Sequence, residues 1–267
     1  MYSFVLTTYN DAERAIKCFE SLKKTIPVDD VYRIVVVDAG STPDQIKLLE
    51  ENIGSVIGPH KNLSEALNAG IYLSLGYFPD NIQSFIESGS SAVDHVFWIH
   101  TDCEFPEYDW AGKLCWIYDQ LYPLFGRLGP ATSNIDGSNP KVSVLRGGNQ
   151  CPWVFGREAI HAMLSAYGYV YNPEYINIGG YEDWDCGQRL LKLGYGFGIC
   201  SLVDVWHEGM GTRKLRDTTY DQQYNGGLYN KIWNTWEQPG FELDLTEIGN
   251  DLKVKFEEKY KDRWYVS

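Results

Sequence analysis

The sequence predicts an α/β protein with a mixed, mostly parallel central sheet flanked by helices. Two observations carry that expectation. The first hundred residues alternate apolar, strand-like runs with segments whose apolar residues recur at helical spacing. The strongest of those runs, Arg33-Ile34-Val35-Val36-Val37-Asp38, is almost wholly β-branched, the pattern of a central parallel strand covered on both faces.

Taken in order, Ser3 to Thr7 reads as a buried strand, and Asp11 opens a helix with Ala15, Phe19 and Leu22 on one face. After Asp38, Ser41-Thr42-Pro43-Asp44 is a helix start. It combines a capping hydroxyl, a proline tolerated in the first turn and an acid near the positive helix end. That helix carries Ile46, Leu49 and Ile53. Ser55 to Gly58 is a short third strand, Ser64 to Leu75 a helix aligning Leu67, Ile71 and Leu75, and Val96 to Ile99 a fourth strand. This alternation implies right-handed crossovers and helices on both sides of a parallel sheet. The second half is less regular. A helix is expected near 111–122, strands near 141–146 and 151–155, helices near 157–167 and 183–193, and a strand at 197–205, with Gly194 ending the preceding helix. Beyond about Asp217, one or two helices packed on the main body are expected.

Composition narrows the function. The 267 residues carry a formal net charge of -13, which repels polyphosphate backbones and disfavours a nucleic-acid partner. A highly anionic ligand would need a local cation. The first residues have no basic region, and no run approaches the ~20 apolar residues of a membrane span, so a soluble, cytoplasmic protein without signal peptide is expected. The six cysteines form no CxxC pair and read as reduced thiols rather than a zinc or disulfide framework.

Three of the four early strands end in polar clusters: Thr7-Thr8-Tyr9-Asn10, Asp38-Ala39-Gly40-Ser41 and His100-Thr101-Asp102-Cys103-Glu104. Ligands of open parallel sheets bind at such carboxyl ends. Asp102 and Glu104, one residue apart after a buried strand, can reach a common hard cation. Neither a GxGxxG fingerprint nor a P-loop lysine occurs in this half, which excludes the usual dehydrogenase and Walker-type phosphate cradles. Two further segments carry chemistry. Acids crowd a helix start at Gly180-Tyr181-Glu182-Asp183-Trp184-Asp185, and His207 follows an apolar strand into a glycine-rich turn.

Together these segments resemble the family 2 glycosyltransferases and their relatives of GT-A (nucleotide-diphospho-sugar transferase) fold. Thr7-Thr8-Tyr9-Asn10 resembles the family's opening strand, and Val36-Val37-Asp38-Ala39-Gly40-Ser41 is similar to its VVDDGS segment, with Ala39 in place of the second acid. Leu63 to Gly70 resembles the N-x-x-x-A-x-N-x-G helix and includes Asn68. Asp102-Cys103-Glu104 stands at the DxD metal motif, Glu182-Asp183 at the acceptor-side ED motif, and His207 with Gly211 at the H-x-x-x-G turn. The resemblance implies transfer of a sugar, a hexose or deoxyhexose, from a nucleotide-diphosphate-sugar to a carbohydrate or other acceptor hydroxyl. It implies that Asp38 contacts the nucleoside, that Thr7, Tyr9 and Asn10 shape its pocket with Asn68, and that Asp102 faces the ribose or donor sugar. Glu104, His207 and Asp102 would hold Mn2+ or Mg2+, and Asp183 would be the general base of an inverting displacement. Glu182, Trp184 and Arg213 are weaker acceptor or loop candidates. Residues 1–216 would form the catalytic domain, with a nucleotide-sugar half at 1–105 and an acceptor half at 106–216, and 217–267 a helical extension. The alternatives are a non-catalytic carbohydrate-binding protein on this fold and a sugar-1-phosphate nucleotidyltransferase.

Overall fold

The computed structural model describes residues 1–133, 144–147, 151–177, 180–208, 217–240 and 243–261. The strands are β1 (Tyr2–Thr8), β2 (Val31–Asp38), β3 (Val56–Ile57), β4 (His95–His100), β5 (Cys103–Glu104), β6 (Phe125–Ser133), β7 (Leu145–Gly147), β8 (Trp153–Gly156) and β9 (Gly196–His207). They form one sheet in the order β3-β2-β1-β4-β8-β6-β9-β5, with β7 also paired to β9. Strands β3, β2, β1 and β4 are mutually parallel, β8 runs antiparallel to β4 and β6, and β6 is parallel to β9. The expected mixed, mostly parallel α/β architecture is therefore the observed one.

The helices are α1 (Ala12–Thr25), α2 (Pro43–Ile53), α3 (Leu63–Ser74), α4 (Ile82–Ser88), α5 (Trp110–Leu121), α6 (Arg157–Tyr167), α7 (Glu182–Lys192), α8 (Thr219–Trp233) and α9 (Thr246–Tyr260). β1 and the second half of β2 are buried residue after residue, as a strand covered on both faces must be. Helix α3 covers part of that face very closely. A Cβ at Gly70 would stand 2.4 Å from Val5 Cγ1, so only glycine permits this approach. At the start of α3, the Asn62 side chain accepts the Glu65 N–H (2.8 Å), and Glu65 accepts the Lys61 N–H (3.2 Å), which satisfies donors a helix end otherwise leaves open.

Three elements were not expected from sequence, the two-residue β5 among them. Strand β6, FGRLGPATS, lies between β8 and β9 at the centre of the second half, yet it contains two glycines, a proline and an arginine. The register with β9 shifts between Pro130 and Ala131, an irregularity where a proline without N–H is tolerated in a sheet. Helix α4 is short and buries only Phe85. The strand expected near 141–146 is observed from Leu145, and 141–143 lie outside the described residues. Helix α9 packs against α5 and β7. No helix among the described residues is long and apolar enough to cross a membrane.

Candidate functional site

Parallel register puts the polar strand ends at one edge. Thr8 of β1 pairs with Asp38 of β2, and Thr7 with His100 of β4. What happens there differs from residue to residue.

Asp38 is fully buried and organises its own loop. One carboxylate oxygen accepts the Gly40 and Ser41 N–H groups (2.9 and 2.8 Å), and the other accepts the Ser41 hydroxyl. Asn10, in a left-handed conformation (φ 48°), ties this loop to β1: its N–H donates to Ser41 Oγ (2.7 Å) and its Oδ1 accepts the Thr42 N–H (2.8 Å). The Thr7 hydroxyl accepts Trp98 Nε1–H (3.1 Å) and donates to the Ile99 carbonyl. Asn68 donates to the Tyr171 carbonyl (2.6 Å) and accepts the Val170 and Tyr171 N–H groups. Four of the expected donor-side residues thus have protein partners, and the half-buried Tyr9 ring lies beside Gly40.

Sequence reasoning missed His60. Its N–H donates to the Asp38 carbonyl (2.9 Å), across a turn in which Gly58 takes φ 143° and approaches that same carbonyl. The imidazole Nε2 is buried with no hydrogen-bond partner, and burial holds the ring's pKa below its ordinary value despite Glu65 and Asp38 nearby. The Gly-Pro-His sequence between β3 and α3 was its only trace in the chain.

The metal-competent group is His100, Asp102 and His207, each offering one ligand atom within 4.8 Å of the others. His207 Nε2 lies 3.1 Å from Asp102 Oδ1, and His100 Nδ1 lies 4.0 Å from it. Two pairings assemble the group. The antiparallel β5–β9 ladder places His207 opposite Cys103, and the Glu208 N–H donates to the Asp102 carbonyl (3.0 Å). Burial pulls the His207 pKa down, but the Asp102 hydrogen bond and the acidic character of Cys103, Asp102 and Glu208 prevail and raise it to about 9. Asp102 and His207 meet as expected. Glu104 is not in the group: it pairs with Lys17 of α1, as Glu208 pairs with Arg14. His100, which sequence reasoning noted only as part of a strand-end cluster, takes the third place.

At the helix start where the acceptor motif was expected, Gly180 (φ 83°) and Tyr181 (φ 73°) turn the chain into α7. Asp183 in its first turn accepts the Trp184 N–H on Oδ1 (2.9 Å). Its backbone carbonyl accepts from Arg127 of β6 (3.3 Å). Trp184 packs edge-on against Tyr181 and Tyr229, and Glu182 is buried. Asp185 is fully buried and structural: it receives Arg189 Nε–H (2.6 Å) and Trp233 Nε1–H (2.8 Å), joining α7 to α8. Asn225 of α8 accepts the Ile176 N–H and donates to the carbonyls of Ile176 and Gly180. The same loop is fastened to α3 by Leu63 N–H to Asn177 O (3.2 Å) and Asn62 to Pro173 O (3.1 Å). Arg213 and Gly211 lie outside the described residues. A separate cavity of about 670 Å³, lined by Tyr2, His95, Tyr118 and several acids, sits at the opposite ends of β1 and β4.

Residues 3–114, from β1 into α5, match the family described as glycosyl transferase family 2. Among curated proteins none matches the chain. Of solved structures, the chain is similar to TarS of S. aureus (residues 1–349), at 13% identity and TM-score 0.54, covering 98% of this chain and 72% of that one. It is similar to the mannosyltransferase PcManGT of Pyrobaculum calidifontis, in complex with GDP-Man and Mn2+, at 14% identity and TM-score 0.53, covering 96% and 69%. It is also similar to glucosyl-3-phosphoglycerate synthase of Mycobacterium tuberculosis, in complex with Mn2+, UDP and phosphoglyceric acid, at 15% identity and TM-score 0.52, covering 87% and 78%. These likenesses show the fold.

Proposed function

We propose, from the premise that this chain carries a glycosyl transferase family 2 segment on a GT-A fold, that it is a glycosyltransferase moving a sugar from a nucleotide-diphosphate-sugar to an acceptor hydroxyl with the help of a divalent metal. The observation that carries the reading is the His100–Asp102–His207 group at the strand ends beside the Asp38 loop. Two imidazoles and a carboxylate gathered at the strand ends suit a divalent transition ion such as Mn2+ better than Mg2+, which prefers oxygen ligands. Bound there, the ion would neutralise a diphosphate that a chain of charge -13 otherwise repels. Glu104 supplies a further carboxylate when its pair with Lys17 opens. The GDP-Man, UDP and Mn2+ carried by similar structures support a nucleotide-diphosphate donor.

The remaining chemistry belongs to the protein's own residues. Asp38, Asn10 and Thr7 hold the loops that shape the nucleoside pocket with Tyr9, and Asn68 ties that pocket to the acceptor loop. His60 offers a neutral imidazole toward the nucleoside. Asp183 takes the proton of the acceptor hydroxyl as that oxygen bonds to the anomeric carbon. The bond from that carbon to the diphosphate oxygen breaks with inversion, and the nucleotide departs. Glu182 and Trp184 shape the acceptor side, with Arg213 following in sequence.

The test is a thermal-shift series with GDP, UDP and their sugars. A nucleotide at a hundredfold its Kd stabilises by about 2.7 kcal/mol, roughly 5 °C for a chain of this size, and Mn2+ should be required for it. Equal stabilisation in EDTA would defeat the metal reading. Asp183→Asn should leave nucleotide binding intact and abolish transfer, and near-normal transfer would remove Asp183 as base.

A further inference from the structure

Strand β6 carries an arginine where strands normally carry apolar residues. Arg127 is fully buried, in register with Phe155 of β8 and Phe197 of β9. Its guanidinium lies 4.2 Å from the Trp153 ring centroid, 5.2 Å from Phe197 and 5.9 Å from Phe155. Aromatic faces compensate part of the cost of burying a cation. Packing alone would be served better by an apolar side chain of similar volume. The guanidinium is instead directed at the first turn of α7, where it donates to the Asp183 carbonyl. The catalytic scheme above makes no use of it.

The charges around Asp183 come from several elements. Asp183 acts on three neutral groups, Cys186 of α7, Tyr171 of the segment before it and Tyr229 of α8, on which Asp185 and Arg189 of α7 and Arg127 of β6 also act, and Glu182 adjoins it in sequence. Asp185 and Arg189 offset one another through a direct ion pair. Glu182 is a like charge that disfavours ionisation of its neighbour. Arg127 supplies the opposing positive charge from below the helix start.

We propose that Arg127 is a positioning residue for the acceptor-side base, fixing the Asp183 backbone by its hydrogen bond and keeping the carboxyl group ionised by its buried charge. The proposal rests on the reading of Asp183 as base, and its test does not need the reaction. Protein labelled with 13C at aspartate carboxyl carbons is titrated by NMR, with Asp183→Asn identifying the resonance. Arg127→Met should raise the apparent pKa of Asp183, the direction expected when a nearby positive charge is removed. Arg127→Lys should restore most of that shift, since it keeps the charge. Both variants should speed amide hydrogen exchange in the first turn of α7, since neither keeps the guanidinium fork. Should Arg127→Met fail to fold, Arg127→Gln provides the neutral comparison. An unmoved Asp183 titration in the folded neutral variant overturns Arg127's role and leaves the base reading standing. Transfer surviving in Asp183→Asn removes the base reading and leaves the measured coupling in place.

Discussion

The N-terminal and C-terminal halves of this molecule differ in how some of their polar residues are held. In the N-terminal half part of the work is done by residues near in sequence, although Asn68 reaches Tyr171 across 103 positions. Asp38 holds the backbone of Gly40 and Ser41, and Asn62 caps the helix it precedes. In the C-terminal half, the first turn of α7 is set by groups far away in the chain. Arg127 reaches Asp183 across 56 positions, Asn225 reaches Gly180 across 45, and Trp233 reaches Asp185 across 48. A buried charge paired with one other side chain, as Asp185 is with Arg189, loses several kcal/mol when that partner is removed, whereas buried Asp38 is held by backbone groups of its own loop that no single substitution removes. The C-terminal half should therefore be the more brittle one.

The largest effect expected is at Asp185. Asp185→Ala leaves Arg189 buried without its carboxylate and Trp233 Nε1–H without its acceptor, at a cost of about 3–5 kcal/mol. Urea denaturation measures it directly. A loss below about 1 kcal/mol would show that the two halves do not differ in this way.

Next comes the packing of α3 on β1. Gly70→Ala drives a methyl group against Val5, and overpacking of that kind costs about 1–3 kcal/mol. The same denaturation series reads it, and an unchanged midpoint would mean that α3 moves off the sheet freely. That outcome would make the N-terminal half softer than its register implies.

These two variants also mark what the sequence could disclose. Strands β1, β2 and β4 were legible because their runs are apolar and uninterrupted, and their polar ends share an edge by parallel register alone. β6 was not legible: Gly126, Arg127, Gly129 and Pro130 deny it a strand's composition, and the partners that make it a strand are β8 and β9. For the same reason Arg127 gave no signal as a site residue. The metal-competent group was half legible. The Asp102–Glu104 spacing pointed to a cation, but Asp102 lies in the turn before the short strand that carries Glu104, and the group is completed by His100 from the preceding strand and His207. Asp38 and Asn68 were recognisable as motif residues, yet their partners could be learned only from the fold.

The metal-competent group lies where β5 meets β9. His207→Ala should weaken Mn2+-dependent nucleotide binding by roughly tenfold or more, because even groups that merely support a ligand cost that much. His100→Ala should follow the same direction. Isothermal titration with UDP or GDP, with Mn2+ and with EDTA, separates the metal's contribution. Unchanged affinity in His207→Ala would remove the group from the donor site.

The smallest effect is also the most discriminating. Glu104 pairs with Lys17, whose side chain is 69% exposed, and such a pair is worth within about 1 kcal/mol. If the Glu104 carboxylate serves the metal, binding must first open that pair, so the pair competes with the ion. Lys17→Ala should then strengthen Mn2+-dependent nucleotide binding by up to about fivefold, the equivalent of the pair's energy. Glu104→Ala should weaken it. The two substitutions sit on one contact and push in opposite directions, which neither a general loss of surface charge nor a loss of stability would produce. Equal Mn2+-dependent affinity in both variants and the parent would assign the ion to His100, Asp102 and His207 alone. Glu104 would then be no more than the partner of an exposed lysine on α1.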